Sequence, residues 1–170
     1  MNIEIFPLDK VVFEGNAVCF GMERSIVENA IGTGQVIGNR IYYYNNELAI
    51  DYSKNNTVEF IEFLGGVDGI LQPTIYGISA FEACADELVE VLKDKNNGII
   101  NDTEQGYSYS FLNISVGVYR EIRPSDVLEM IEEMEADGIS MVDNEDIIAD
   151  IRRANHWATI GVGIKGYYQR

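Results

Sequence analysis

Histidine and cysteine, which supply most metal sites and many catalytic relays, are almost absent from this chain of 170 residues. His156 is the single histidine, and Cys19 and Cys84 are the two cysteines. One histidine excludes a two-histidine metal site or a histidine-rich relay within one chain. The cysteines lack the paired spacing of a zinc site or a disulfide scaffold, so we expect core thiols. We expect His156 at the mouth of the last strand, beside a core Trp157.

Long hydrophobic runs are also missing. No segment approaches the roughly 18 consecutive apolar residues of a transmembrane helix, and residues 1–7 have neither the basic nor the apolar region of a secretory signal. We therefore expect a soluble, cytoplasmic protein that does not bind membranes. The content of hydrophobic residues, 46%, is enough for a packed core. The length predicts one domain over residues 1–170, within which 15–66 and 74–170 are candidate sub-repeats.

Glycine-rich phosphate loops are missing as well. Residues 32–38 contain three glycines, but the last falls one residue late for a dinucleotide fingerprint, and the segment follows a predicted helix and precedes a strand. We therefore predict no cofactor, no metal and no catalytic residue. An enzyme that uses paired carboxylates is the alternative, because the separation of two carboxylates in space is not visible in a sequence.

Basic residues are scarce, with 12 Lys and Arg against 28 Asp and Glu and a formal net charge of -16. Because Lys and Arg contacts to phosphates dominate nucleic-acid affinity, direct binding of nucleic acid is not expected. The deficit is greatest in residues 125–150, which contain ten carboxylates and no Lys or Arg. Helices usually interleave opposite charges at a spacing of four. This acidic block therefore predicts a surface for a basic protein partner, with a merely solvated acidic surface as the alternative.

Seven carboxylates of the acidic block are the candidate partner-binding residues. They are expected to pair with Lys and Arg of the partner, which speeds association and disfavours acidic competitors. The candidates are Asp126, Glu129, Glu132, Glu133, Asp143, Glu145 and Asp146.

The apolar periodicity predicts an α+β fold, with helices packed on an antiparallel sheet. Ser79 and Ser125 are the predicted caps of the second and third helices. Helices are predicted at 22–31, 79–95, 125–136 and 143–155, and strands at 2–6, 11–13, 40–44, 47–52, 57–64, 107–113, 114–121 and 158–168. The order is compatible with two α-β-β-β repeats and an acidic helical insertion in the second. A single irregular α+β domain is the alternative.

A small, strongly acidic α+β chain without catalytic motifs resembles the immunity proteins of bacterial toxin–immunity pairs, including those of polymorphic toxins and contact-dependent inhibition. The helix-plus-meander units at 21–64 and 76–168 are also similar to the tandem repeats of inhibitors that grip an enzyme with a concave sheet. The resemblance implies an inhibitor that occludes a basic toxin, such as a nuclease, with carboxylates in place of substrate phosphates. An acidic dimeric secretion chaperone and a small carboxylate-dependent enzyme are the alternatives, and the oligomeric state stays open.

Overall fold

The computed structural model of the chain describes residues 1–139 and 144–170, and it confirms the α+β class. Two sheets and four α-helices lie within these residues. The helices are α1 (Arg24–Ile31), α2 (Ala85–Asn96), α3 (Pro124–Ala136) and α4 (Glu145–Ala154). The strands are β1 (Ile3–Phe6), β2 (Lys10–Phe13), β3 (Asn16–Cys19), β4 (Gln35–Ile37), β5 (Arg40–Tyr43), β6 (Leu48–Tyr52), β7 (Val58–Phe63), β8 (Thr74–Ile75), β9 (Ile78–Ser79), β10 (Ile100–Asn101), β11 (Ser108–Phe111), β12 (Val116–Tyr119) and β13 (Thr159–Gly163).

The larger sheet has eight antiparallel strands in the order β10-β11-β12-β13-β7-β6-β5-β4. Two meanders, β4 to β7 and β10 to β13, meet where β7 pairs with β13. Each meander follows a helix, and each has one short outer strand, β4 or β10, that the sequence reading missed. The acidic helices α3 and α4 are inserted between β12 and β13, as predicted, although these two strands still pair with each other.

A smaller sheet packs beside the larger one, in the order β3-β2-β1-β8-β9. The parallel pairing of β1 with β8 joins the start of the chain to the segment that precedes α2. Among residues 1–139 and 144–170, none of the four helices combines the length and the apolar composition that a membrane crossing requires.

The core lies against one face of the eight-stranded sheet. The register aligns Ile50 with Ile61, Ile61 with Val162, and Val162 with Val116 across four neighbouring strands, and all four side chains are buried. Burying a side chain of this size contributes about 1.5–3 kcal/mol. Trp157 is also buried, which confirms the expected core tryptophan.

The opposite face of the sheet explains why the last strand is shorter than the predicted 158–168. The chain turns after β13, and the ring of Tyr167 stacks on Phe60 with centroids 4.3 Å apart. The Tyr168 hydroxyl donates a hydrogen bond to the Gly161 carbonyl oxygen at 3.2 Å. A Cβ at Gly161 would lie 2.7 Å from that hydroxyl, so the ring packs on the sheet because the strand has a glycine here.

Helix α2 begins six residues later than predicted. The Ser79 hydroxyl does accept a hydrogen bond from the Glu82 amide at 3.1 Å, but this bond closes a turn outside the helix. Ala80 and Phe81 are fully buried in the core. The first amide of the helix, at Ala85, donates to the Asn155 carbonyl oxygen at 2.8 Å. A partner distant in sequence therefore sets the start of this helix.

The expectation of core thiols is wrong for Cys84. This residue is exposed at the position that precedes α2, and Cys19 is half-buried at the end of β3. Its apolar neighbours Phe81 and Ala85 are buried, whereas the side chain at the capping position is not.

Candidate functional site: the acidic helical hairpin

Helix α3 begins at Pro124 rather than at the predicted cap Ser125. Proline is well suited to the first helical position, because its fixed φ fits the helix and its missing amide would have no partner there. Arg123 precedes the helix, and the Asp126 Oδ2 accepts a hydrogen bond from the Arg123 amide at 2.8 Å. Only half of a capping box forms, because an arginine side chain has no acceptor.

Asp126 is held within its own chain. The Arg123 Nη2 lies 2.7 Å from the Asp126 Oδ1, and the Tyr107 hydroxyl donates to Oδ2 at 2.8 Å. The hydrogen bond from the Arg123 side chain, with smaller contributions from the Arg123 amide and Tyr107, keeps the pKa of Asp126 well below its ordinary value. This predicted partner-binding residue therefore also anchors the start of α3.

Helix α4 has a capping arrangement that suits its sequence. The Asn144 side-chain oxygen accepts hydrogen bonds from the Asp146 amide at 3.1 Å and the Ile147 amide at 3.4 Å. Arg152 and Arg153 lie in the last turn, where cations complement the helix dipole. Both reach the carboxylate of Asp68, with Nη1 of Arg152 2.8 Å from Oδ1.

Helices α3 and α4 form a helical hairpin, and hydrogen bonds connect the base of this hairpin to the sheet. Arg120 is buried, and its guanidinium lies over the Trp157 ring, 4.8 Å from the centroid. Its Nη1 donates to the carbonyl oxygen of Ala154, the last residue of α4, at 2.9 Å. The Trp157 indole NH donates to the Ala85 carbonyl oxygen at 3.0 Å. These bonds connect the end of α4 to β12, to the start of β13 and to α2.

Most carboxylates of the hairpin are exposed and unpaired. Among the described residues, no Lys, Arg or His nitrogen lies within 4.0 Å of the following seven, which are exposed: Glu129, Glu132, Glu133, Glu135, Asp137, Glu145 and Asp146. Five of the predicted candidates are among these seven. The sixth, Asp126, is paired with Arg123, and Asp143 lies outside the described residues.

Spacing along α3 places several carboxylates side by side. Glu129 and Glu133 are four residues apart, and Glu132 and Glu135 are three apart, so each pair lies on one side of the helix. Like charges at these spacings repel by about 0.2–0.5 kcal/mol per pair. The helix has no basic residue to offset this repulsion.

An apolar groove runs between the two helices. It has a volume of about 180 Å³ and is lined by both the start of α3 and the end of α4, so the helices are antiparallel. Val127 is buried, whereas Leu128 and Ile151 are 61% and 43% exposed. Ile148, three residues before Ile151, is 59% exposed. The sequence reading missed this groove, although apolar residues at a spacing of three on both helices were visible.

A second cavity, of about 400 Å³, lies where α4 meets the sheet. Its lining carries both signs of charge, with Asp68 paired to Arg153 and with Asp150 3.8 Å from the same arginine. His156 lines it too, and its Nδ1 lies 3.0 Å from the Ala83 carbonyl oxygen. Within residues 1–139 and 144–170, no three His, Cys, Asp or Glu side chains form a group suited to a metal ion.

The hairpin thus combines unpaired carboxylates with exposed apolar side chains, whereas Asp68 and Asp150 at the second cavity have basic partners. Charged and apolar groups side by side on one surface suit a protein partner of opposite charge. No family model, no curated protein and no solved structure matches this chain.

Proposed function

We propose that this chain is a non-catalytic binding protein that holds a basic protein on its α3–α4 hairpin, and that it acts as an immunity protein for a basic toxin. The observation that carries the proposal is the set of seven exposed hairpin carboxylates without a basic partner among the described residues. The net charge of -16 adds a long-range attraction for a basic protein.

Electrostatic repulsion within α3 supports this proposal. The unbound chain bears the repulsion between neighbouring glutamates, and Lys or Arg side chains of a partner would relieve it. At physiological ionic strength the Debye length is about 8 Å, so the contribution is largest for charges that come into direct contact. Binding would therefore be fast and sensitive to salt.

The attachment of the hairpin also supports a binding role. Arg120 holds the carbonyl oxygen of Ala154, and Asp68 holds Arg152 and Arg153. A surface that is already ordered loses less conformational entropy when it binds. The toxin would be inhibited by occlusion, with the carboxylates occupying the basic surface that a nuclease uses for phosphates.

The test is a pull-down from a lysate of the source organism at low salt, with three forms of the tagged protein. The first is native, and the second is E129Q/E132Q/E133Q/E145Q/D146N. The third, E82Q/D86N/E87Q/E90Q/D94N, removes the same amount of charge from α2 and the turn before it, where all five side chains are exposed. Circular dichroism establishes that the three forms are equally folded.

We expect one basic protein to be retained by the native and α2 forms and lost from the hairpin form. Co-expression of the native chain with that basic protein, in equal amounts, should then suppress the toxicity of the basic protein in cells. Equal retention by the two variants, or the lack of any stoichiometric partner, would contradict the proposal. If the chain retains a basic protein without suppressing its toxicity, and if the chain sediments as a dimer, the result would favour the secretion chaperone.

A further inference from the structure

The apolar groove of the hairpin has the form of a docking site for a third helix. Its floor is the buried pair Val127 and Ala154, and its walls include the exposed Leu128 and Ile151. The backbone groups of α3 and α4 are hydrogen-bonded within the helices, so the hairpin has no free edge that could pair with a strand. Side chains of a helix at spacings of three and four interdigitate with such a surface.

Two carboxylates lie on the helices near this groove, each beside an exposed apolar side chain, and we call them its border. Glu132 follows Leu128 by four residues, and Glu145 precedes Ile148 by three, so each lies next to an exposed apolar side chain on its own helix. Both are exposed and have no basic partner among the described residues. Arg152 also lies near Ile148, but it is paired with Asp68, 2.8 Å away.

We infer that the groove binds a basic amphipathic helix of the partner, with apolar side chains against Leu128 and Ile151 in the groove and against Ile148 about one turn beyond it on α4, and with Lys or Arg against the border. The inference rests on the proposed function and specifies the chemistry of the partner. Apolar contact supplies the driving force for seating the helix, and charge complementarity selects a basic one.

Charge also argues against a second copy of this chain as the occupant. A copy would bring the same carboxylates to the border of the groove, and each chain has a formal net charge of -16. Like charges brought together at an interface oppose association. With a basic partner, the electrostatic interaction at the same border is attractive.

The probe is a fluorescein-labelled peptide of about 14 residues, which as a helix matches the length of α3. Leucine occupies positions at spacings of three and four, and lysine the others. A second peptide has the same composition in an order that forms no apolar helical face. Fluorescence anisotropy measures binding to the native chain, to L128S/I148S, and to V36S/I37S, a control that removes exposed apolar residues from β4.

We expect the amphipathic peptide to bind the native chain and V36S/I37S equally, and to bind L128S/I148S about tenfold more weakly. The reordered peptide should bind the native chain about tenfold more weakly as well. Equal binding of the two peptides, or unchanged binding to L128S/I148S, would overturn the inference. So would a native dimer that L128S/I148S dissociates in sedimentation.

The same titrations separate this inference from the proposed function. E129Q/E132Q/E133Q/E145Q/D146N should lose affinity for both peptides if the acidic surface attracts basic partners. If that variant loses affinity but the two peptides bind the native chain equally, docking of a helix in the groove is refuted, while the acidic binding surface is still supported. Unchanged affinity of that variant would count against the proposed function itself.

Discussion

Helix α2 and the α3–α4 hairpin are both rich in acid, but they differ in how their charges and apolar side chains are accommodated. In α2, five of 12 residues are buried, and Lys93 lies 2.8 Å from Glu90. In α3, Val127 is the only buried residue of 13, and the helix has no basic side chain. Helix α2 is thus stabilised by the core, whereas α3 is held mainly at its base. The difference lies in the surface, because the hairpin exposes carboxylates and apolar side chains that α2 pairs or buries.

The largest predicted effect compares one leucine in each region. Leu88 of α2 is fully buried, and Leu128 of α3 is 61% exposed. Leu88→Ala should lower the free energy of unfolding by about 2–5 kcal/mol, because it opens a cavity in the core. Leu128→Ala should change it by less than about 0.5 kcal/mol. Urea unfolding measures both, and losses of similar size would show that Leu128 is packed in solution.

A smaller effect concerns the start of α3. Asp126→Asn should cost about 1 kcal/mol at neutral pH, because it weakens the cap of the helix. The folded-state pKa of Asp126 is lowered, so its contribution is complete above the ordinary value near 4 and is lost as pH falls below it. The difference between the native chain and the variant should therefore shrink progressively as the pH falls below about 4.

Ser125→Ala is the matched control for this cap. The helix begins at Pro124, so removing the hydroxyl of Ser125 should change stability by less than about 0.5 kcal/mol. Urea unfolding at pH 7 and at pH 3 measures both variants. If Ser125→Ala lowers the free energy of unfolding as much as Asp126→Asn does, Ser125 is the cap after all. If the difference in stability between the native chain and Asp126→Asn is the same at both pH values, the charge of the carboxylate does not stabilise the helix.

The smallest predicted effect comes from reversing one charge in each region. Glu133→Lys should stabilise the chain by about 0.5 kcal/mol, because it replaces repulsion from Glu129 and Asp137 with attraction. Lys93→Glu on α2 should destabilise it by about the same amount, because it replaces the ion pair with Glu90 by repulsion. Thermal unfolding in low salt and in 1 M NaCl measures both. Shifts of the same sign, or shifts that persist in high salt, would contradict the electrostatic explanation.

Local chemistry explains the parts of the fold that were predictable. Asn45 and Asn46 separate the predicted strands 40–44 and 47–52, and both adopt positive φ angles, 54° and 70°, between β5 and β6. Asparagine tolerates this conformation better than most residues do. The strand predicted at 57–64 matches β7, although Phe60 packs against Tyr167 on the face opposite the core residue Ile61. Each of these signals involves residues that are close in the sequence.

The errors arose where a distant contact outweighed a local preference. The start of α2 depends on the bond from Ala85 to Asn155, and the end of β13 depends on Tyr168 packing against Gly161. The pairing of Asp126 with Tyr107 was likewise invisible, because 19 residues separate them. No local pattern encodes such partners, so a reading of periodicity and capping residues cannot find them.

The sequence by itself determined the α+β class, the helical nature of the acidic block and the shortage of counter-charge within it, because composition and periodicity are local properties. The tertiary structure decided which carboxylates are paired and which are exposed, and it brought Leu128 and Ile151 together at one groove, with the exposed Ile148 about one turn away on α4. That groove exists because two helices pack antiparallel. Which residues of the two helices meet depends on tertiary packing, and the order of residues in the chain does not reveal it.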